Sequence, residues 1–248
     1  MRKKKLFLCI LVELLFVTWM SVVNADIRIM PLGDSITRGN QSNSELGYRG
    51  KLQKKFNPAA FKFVGSEVYG LMDGEPLYHE GHPGMNASFI ENHIKGFLEE
   101  NNPDIVLLHI GTNDLRTLDK DEINKTVIET TVNTIGKILT KIHDKDPEIT
   151  VFLARIINMV PKNNNISEFN IKLYKRFQNR VNIIIVDMEK NADMIYELEN
   201  NGGDIVDDAV DIHGLVSQMV AAAAKAGQAY GQGLKTLDEQ TKQLDSAA

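Results

Sequence analysis

Cysteine and tryptophan are nearly absent. The chain has one of each, Cys9 and Trp19, and both fall within the first 25 of its 248 residues. Beyond that stretch, thiol catalysis, cysteine-ligated zinc and a disulfide framework are all excluded. A basic excess is missing too. Lys and Arg number 28 against 33 Asp and Glu, for a formal charge of −5. General nucleic-acid and anionic-membrane binders carry the opposite balance, so neither partner is expected. Proline is sparse, at 7 residues, and 43% of the chain is hydrophobic. That composition excludes collagenous, disordered and polytopic membrane classes. A chain of this length buries a sufficient core without cross-links.

The first 25 residues form a unit of their own. Arg2-Lys3-Lys4-Lys5 is a basic run, followed by a mostly apolar stretch that is broken by Glu13. Val23-Asn24-Ala25 then places compact residues before Asp26. This is the pattern of a secretory signal peptide cleaved after Ala25. A membrane anchor is disfavoured by Glu13, which is costly at mid-bilayer. Cleavage removes four basic residues and one acidic one, taking the net charge from −5 to −8. The expected location is extracellular, with no stable membrane association after cleavage. Sequons at Asn40, Asn86, Asn124 and Asn165 agree with secretion but are short motifs common by chance.

Apolar runs at residues 27–32, 61–65, 104–110, 150–156 and 182–186 read as buried strands, rich in Ile, Val and Leu. Helical periodicity fills the gaps. The clearest stretch is 123–142, where Ile128, Val132, Ile135, Ile138, Leu139 and Ile142 make one apolar stripe. Weaker helices are expected at 88–100 and 167–180. Strand–helix alternation implies an open, mostly parallel α/β sheet in one domain over residues 26–217. Residues 218–248 are rich in Ala and Gln and read as a loosely packed C-terminal extension. Chemistry in such sheets gathers beyond the C-terminal strand ends, so the loops after Leu32 and Ile110 are the first places to look.

Gly33-Asp34-Ser35 follows the first strand. Ser35 there is a candidate nucleophile, needing a base from elsewhere. A helix N-cap and a phosphate-cradling loop are the alternatives, although both Gly-rich nucleotide motifs are absent. Gly111-Thr112-Asn113-Asp114 follows the third strand. Asn113 is either an oxyanion donor or part of an ordinary Asn-Asp turn. His79-Glu80-Gly81-His82-Pro83-Gly84 reads as a loop from its Gly and Pro content, and its spacing is wrong for a helical zinc site. The backbone N–H of Gly84 is a second candidate oxyanion donor. No metal or cofactor is expected.

In combination, the stretches IRIMPLGDSITRGN, GYRG, FKFVGS, HEGHPG and PDIVLLHIGTND resemble the SGNH (GDSL-type) hydrolases. They are closer still to the family-three carbohydrate esterases, which are acetyl xylan esterase-like. The resemblance spans residues 27–213. It implies a three-layer α/β/α, flavodoxin-like fold with a mostly parallel five-stranded sheet. It implies metal-free hydrolysis of acetyl esters on sugars, with an acetylated, xylan-like carbohydrate as substrate and a monomeric enzyme. It makes Ser35 the nucleophile and His213 the base. The Ser35 and Gly84 N–H groups and the Asn113 side chain become the oxyanion hole.

One block departs from the family pattern of Asp-x-x-His-Pro. Here Val210 holds the Asp position and Gly214 that of Pro. Asp211 orients His213, or Asp208 does so through a bulge, or no acid does. Two rival functions follow. One is the same chemistry on longer acyl chains, as in a lipase, lysophospholipase or thioesterase. The other is a non-catalytic carbohydrate-binding relative with a degenerate Asp-His block. Asp34 and Asp114 are expected to hold loops through hydrogen bonds and to move no proton. His79 and His82 border the site, as substrate contacts or solvated loop residues. His109 is expected to be packed in its strand, and His93 and His143 to lie on helix surfaces. Arg38 either anchors the first loop or meets substrate.

Overall fold

The computed structural model describes residues 27–40, 42, 44–55, 61–159 and 161–191. The expected signal peptide, the block holding Asp208, Asp211 and His213, and the C-terminal extension all lie outside these residues.

Strand β1 (Ile27–Gly33) leads into a short helix α1 (Ser35–Arg38) and then α2 (Tyr48–Lys55). Four brief strands follow: β2 (Phe61–Phe63), β3 (Leu71–Met72), β4 (Glu75–Pro76) and β5 (Glu80–Gly81). Helix α3 (Ala87–Asn101) precedes β6 (Ile105–His109), the one-turn helix α4 (Thr112–Leu115) and the long α5 (Lys125–Lys145). Strand β7 (Thr150–Arg155), α6 (Asn164–Phe177), β8 (Ile183–Asp187) and α7 (Met188–Asn191) complete the described chain.

The main sheet runs β2-β1-β6-β7-β8, and every pairing in it is parallel. This is the doubly wound order whose direction reverses between β1 and β6. The five expected strands are all present. A sixth, β5, adds to the free flank of β1 beyond the end of β2. Proline in a sheet interior loses a ladder bond. Pro31 falls in the gap on that flank, where β2 pairs as far as Ile29 and β5 begins at Leu32.

Alternation along the strands feeds two cores. Met30, Leu32, Val106, Leu108, Val151 and Leu153 meet the apolar faces of α3, α5 and α6. Ile29, Ile105, Leu107, Phe152 and Ala154 face the other way, against Leu46, Tyr48 and Leu52. Helix–sheet–helix layering follows, as the three-layer reading requires. The stripe of α5 is fully buried at Ile128, Val132, Ile135, Ile138, Leu139 and Ile142. At roughly 1.5–3 kcal/mol per buried aliphatic side chain, that face alone outweighs any propensity term in the helix. Caps set the helix starts. Asn124 accepts from the Val127 N–H, and Asn86 from the Phe89 N–H, each at 3.0 Å. Asn165 is fully buried, and its amide donates to the Asp119 and Glu122 carbonyls. Sequons at 86, 124 and 165 are therefore committed to structure in the folded chain.

Candidate active site

Three chain segments end side by side. Gly33 of β1 pairs with Gly81 of β5 on one flank and with His109 of β6 on the other. Ser35 follows the first, Gly84 the second and Asn113 the third, so adjacent strand ends deliver all three candidates. The approach is close enough to require glycine at position 33. A Cβ there would lie 2.1 Å from the His109 carbonyl oxygen and 2.5 Å from Thr37 Oγ1.

The Gly33-Asp34-Ser35 turn is a helix start, as one reading of its sequence suggested. Asp34 is the N-cap of α1, and its Oδ1 accepts from the Ile36 N–H at 3.0 Å. Ser35 is the first helical residue and is half-buried, whereas Asp34 is wholly buried. Burial pushes the Asp34 carboxyl above the ordinary range, opposed by the nearby His109. Behind this turn stands Arg49, a buried guanidinium held by backbone carbonyls. It donates to the carbonyls of Thr37 (3.1 Å), Arg38 (2.6 Å), Tyr69 (2.9 Å) and Leu77. Burial lowers its pKa to about 10. Arg38 lies 3.9 Å over the Tyr69 ring, a contact that fits an anchor of the first loop.

The second segment was read as a solvated loop, and the structure corrects this. Glu80 and Gly81 form β5, and His79 and Glu80 are fully buried. His79 Nδ1 accepts from the Gly81 N–H at 3.0 Å, and burial drives its pKa down to about 3. Glu80 accepts from Ser66 N (2.7 Å), Ser66 Oγ (3.0 Å) and Asn101 Nδ2 (2.8 Å), and its Oε2 lies 3.0 Å from His82 Nε2. The His82 ring stacks on Phe97 at 5.0 Å between centroids and tilts against Phe89 at 5.3 Å. His79 is thus enclosed, and His82 is paired and stacked. The backbone then crosses to the nucleophile turn, His82 N–H donating to the Gly33 carbonyl at 2.9 Å. Gly84 is exposed with φ +77°, a conformation glycine adopts at little cost.

The third segment clamps the second. Asn113 Nδ2 donates to the Met85 carbonyl at 2.9 Å. An amide carries two N–H donors, so a second remains for another acceptor. Asp114 accepts from the Ala87 N–H at 3.0 Å, at the start of α3. Burial lifts the Asp114 carboxyl to about 6. Both expected loop-holding roles, of Asp34 and Asp114, thus appear as hydrogen bonds to helix starts.

Five of the chain's six histidines lie among the described residues, and each is occupied or enclosed. His79 and His109 are buried, and His82 is paired and stacked. His93 Nδ1 sits 2.8 Å from the Phe89 carbonyl on the outer face of α3. His143 is half-buried, with Nε2 3.2 Å from the Ile149 carbonyl, so it is less exposed than its helix position suggested. The sixth, His213, lies outside the described residues, as do Asp208 and Asp211. Sequence reasoning missed the buried roles of Arg49 and Glu80.

Residues 32–214 match the model of the GDSL-like Lipase/Acylhydrolase family. A family 3 carbohydrate esterase from Clostridium thermocellum is similar in structure. It is 26% identical at TM-score 0.56, and the match covers 81% of this chain and 94% of that one. A family 3 carbohydrate esterase from Talaromyces cellulolyticus is 23% identical at TM-score 0.54, over 65% of this chain and 79% of that one. An acetyl esterase solved with acetate ion is 20% identical at TM-score 0.59, over 78% and 99%. No curated protein matches the chain in sequence. Family match and fold agree with a site built at neighbouring strand ends: the chain belongs to the GDSL-like lipase/acylhydrolase family and is a carboxylic ester hydrolase.

Proposed function

We propose that this is a secreted serine esterase that removes acetyl groups from acetylated carbohydrate of the xylan type. Ser35 Oγ attacks the acetyl carbonyl and passes its proton to His213, which returns it to the departing sugar hydroxyl. Water then repeats the route on the acetyl-enzyme and releases acetate. Negative charge on the tetrahedral oxygen meets the Ser35 N–H, the Gly84 N–H and the second Asn113 amide proton. Asp211 orients His213, and Asp208 is the other candidate for that role.

One observation carries the reading: β5, β1 and β6 lie side by side and bring Gly84, Ser35 and Asn113 off adjacent strand ends. The burial of His79 and His109, and the pairing of His82, His93 and His143, support His213 as base. A carbohydrate ester as substrate is supported by the likeness to the family 3 carbohydrate esterase of C. thermocellum, and its acetyl group by the sequence resemblance to acetyl xylan esterase-like enzymes. The basic, then apolar N-terminus supports secretion.

A series of p-nitrophenyl esters tests the acyl part, and acetate release from acetylated xylan tests the sugar part. Acetate far above butyrate and longer chains is expected. A preference for long chains would make the enzyme a lipase or thioesterase. Saccharide binding without ester turnover would make the chain a non-catalytic relative.

A further inference from the structure

Beneath the nucleophile turn lies a set of buried polar atoms that the mechanism above does not use. His109 is 2% exposed, and neither ring nitrogen has a hydrogen-bond partner. Asp34 Oδ2 and Thr112 Oγ1 are likewise buried without one. These groups are neighbours by construction. His109 ends β6 opposite Gly33, Asp34 follows Gly33, and Thr112 opens α4 three residues after His109. Asp34 and His109 feel each other's charge, and Thr112 favours the ionised Asp34. Buried polar atoms are seldom left unmatched, so a cluster of four calls for a reason.

Two donors of this set can meet its one carboxylate oxygen, leaving the bare nitrogen of the His109 ring as the fourth atom. Neutral imidazole offers one N–H and threonine one O–H, whereas a carboxylate oxygen has two lone pairs. Asp34 Oδ1 is already committed to the Ile36 N–H. Its Oδ2 is the one acceptor-only group among the unmatched atoms, and the His109 ring and the Thr112 hydroxyl supply two donors in the same set.

We propose that His109 is a positioning residue: its ring N–H and the Thr112 hydroxyl share Asp34 Oδ2 and so lock the N-cap that aims Ser35. The carboxylate then accepts three hydrogen bonds and cannot swing. Ser35, next in the chain, inherits that orientation. His109 never touches substrate, and its effect passes through Asp34. The role rests on the esterase reading of Ser35.

Esterase kinetics of His109→Leu, His109→Asn and His109→Gln in the full chain test it. Asn carries a donor near the place of Nδ1, and Gln near that of Nε2. In His109→Leu, kcat on p-nitrophenyl acetate should fall by about tenfold to a hundredfold with KM nearly unchanged. Either Asn or Gln should restore most of that loss and so name the donating nitrogen. Equal losses in all three variants, each folded by circular dichroism, would overturn the proposal and leave packing as the role of the ring. An unchanged kcat in His109→Leu would overturn it as well. Proton NMR reads the bond without activity. A slowly exchanging imidazole N–H is expected in the wild type, and its disappearance or shift in Asp34→Asn. Absence of that signal in the wild type would refute the bond even where His109→Leu does not fold. A wild type no faster than Ser35→Ala is a separate failure. It would sink the esterase reading and the positioning role together, while the NMR signal would still decide the bond.

Discussion

Replacing His79 should change how stability depends on acidity, and the sign can be worked out. The imidazole is fully buried and titrates near 3, against 6.5 for an ordinary histidine. The folded protein therefore stays unprotonated there while the unfolded chain takes up a proton. The favourable contribution is complete above pH 6.5 and is lost as pH falls toward 3. Each unit is worth about 1.4 kcal/mol, so about 2.7 kcal/mol is gone by pH 4.5. Asp114 acts oppositely. Its folded pKa of about 6 exceeds the ordinary 3.8, so its contribution is greatest below 3.8 and is lost as pH rises through 6. Between these limits the two slopes oppose, and the wild-type profile conceals both. Single variants separate them. His79→Asn retains an acceptor for the Gly81 N–H. Its stability relative to wild type should rise by about 2–3 kcal/mol from pH 6.5 to 4.5. Relative stability of Asp114→Asn should instead rise as pH increases from 4 to 6. Urea midpoints at half-unit pH steps measure both. A pH-independent difference in either variant would refute the burial argument for that residue.

Other outcomes follow from the same geometry. Arg49→Met leaves the Thr37, Arg38, Tyr69 and Leu77 carbonyls without their donor and should cost at least about 3 kcal/mol in urea unfolding. Arg49→Lys should recover little of this, because one ammonium cannot match the planar fork. Gly33→Ala forces a Cβ against the His109 carbonyl and should destabilise by roughly 2–3 kcal/mol, visible as a lowered Tm. Asn113→Ala removes both the Met85 tether and the amide donor, so kcat should drop by about 10²–10³ with the fold retained by circular dichroism.

The parallel core was legible because it is written locally. Runs of Ile, Val and Leu marked β6 and β8, mostly apolar stretches marked β1 and β7, and the stripe of α5 gave its buried face directly. Helix ends moved by one to three residues: α5 starts at Lys125, where Asn124 caps it, not at Ile123. The turns at Gly33-Asp34-Ser35 and Gly111-Thr112-Asn113 were legible because each follows a clear strand. What escaped was burial created at long range. Gly and Pro marked residues 79–84 as a loop, and nothing local says that β1 pairs with Glu80 and Gly81. Arg49 and Glu80 carry charge, which argues for exposure until the partners that match them are known. Several of those partners are distant in sequence, such as Ser66, 14 positions from Glu80, and Leu77, 28 positions from Arg49. The β3–β4 hairpin had a local signal that was passed over. Asp73-Gly74 both take positive φ, as a tight hairpin turn prefers.

Hydrolysis of p-nitrophenyl acetate by the wild type, Ser35→Ala and His213→Ala tests the central claim most directly. The account predicts wild-type turnover that falls by about 10³-fold or more in both variants. Wild-type turnover no faster than that of Ser35→Ala would contradict it.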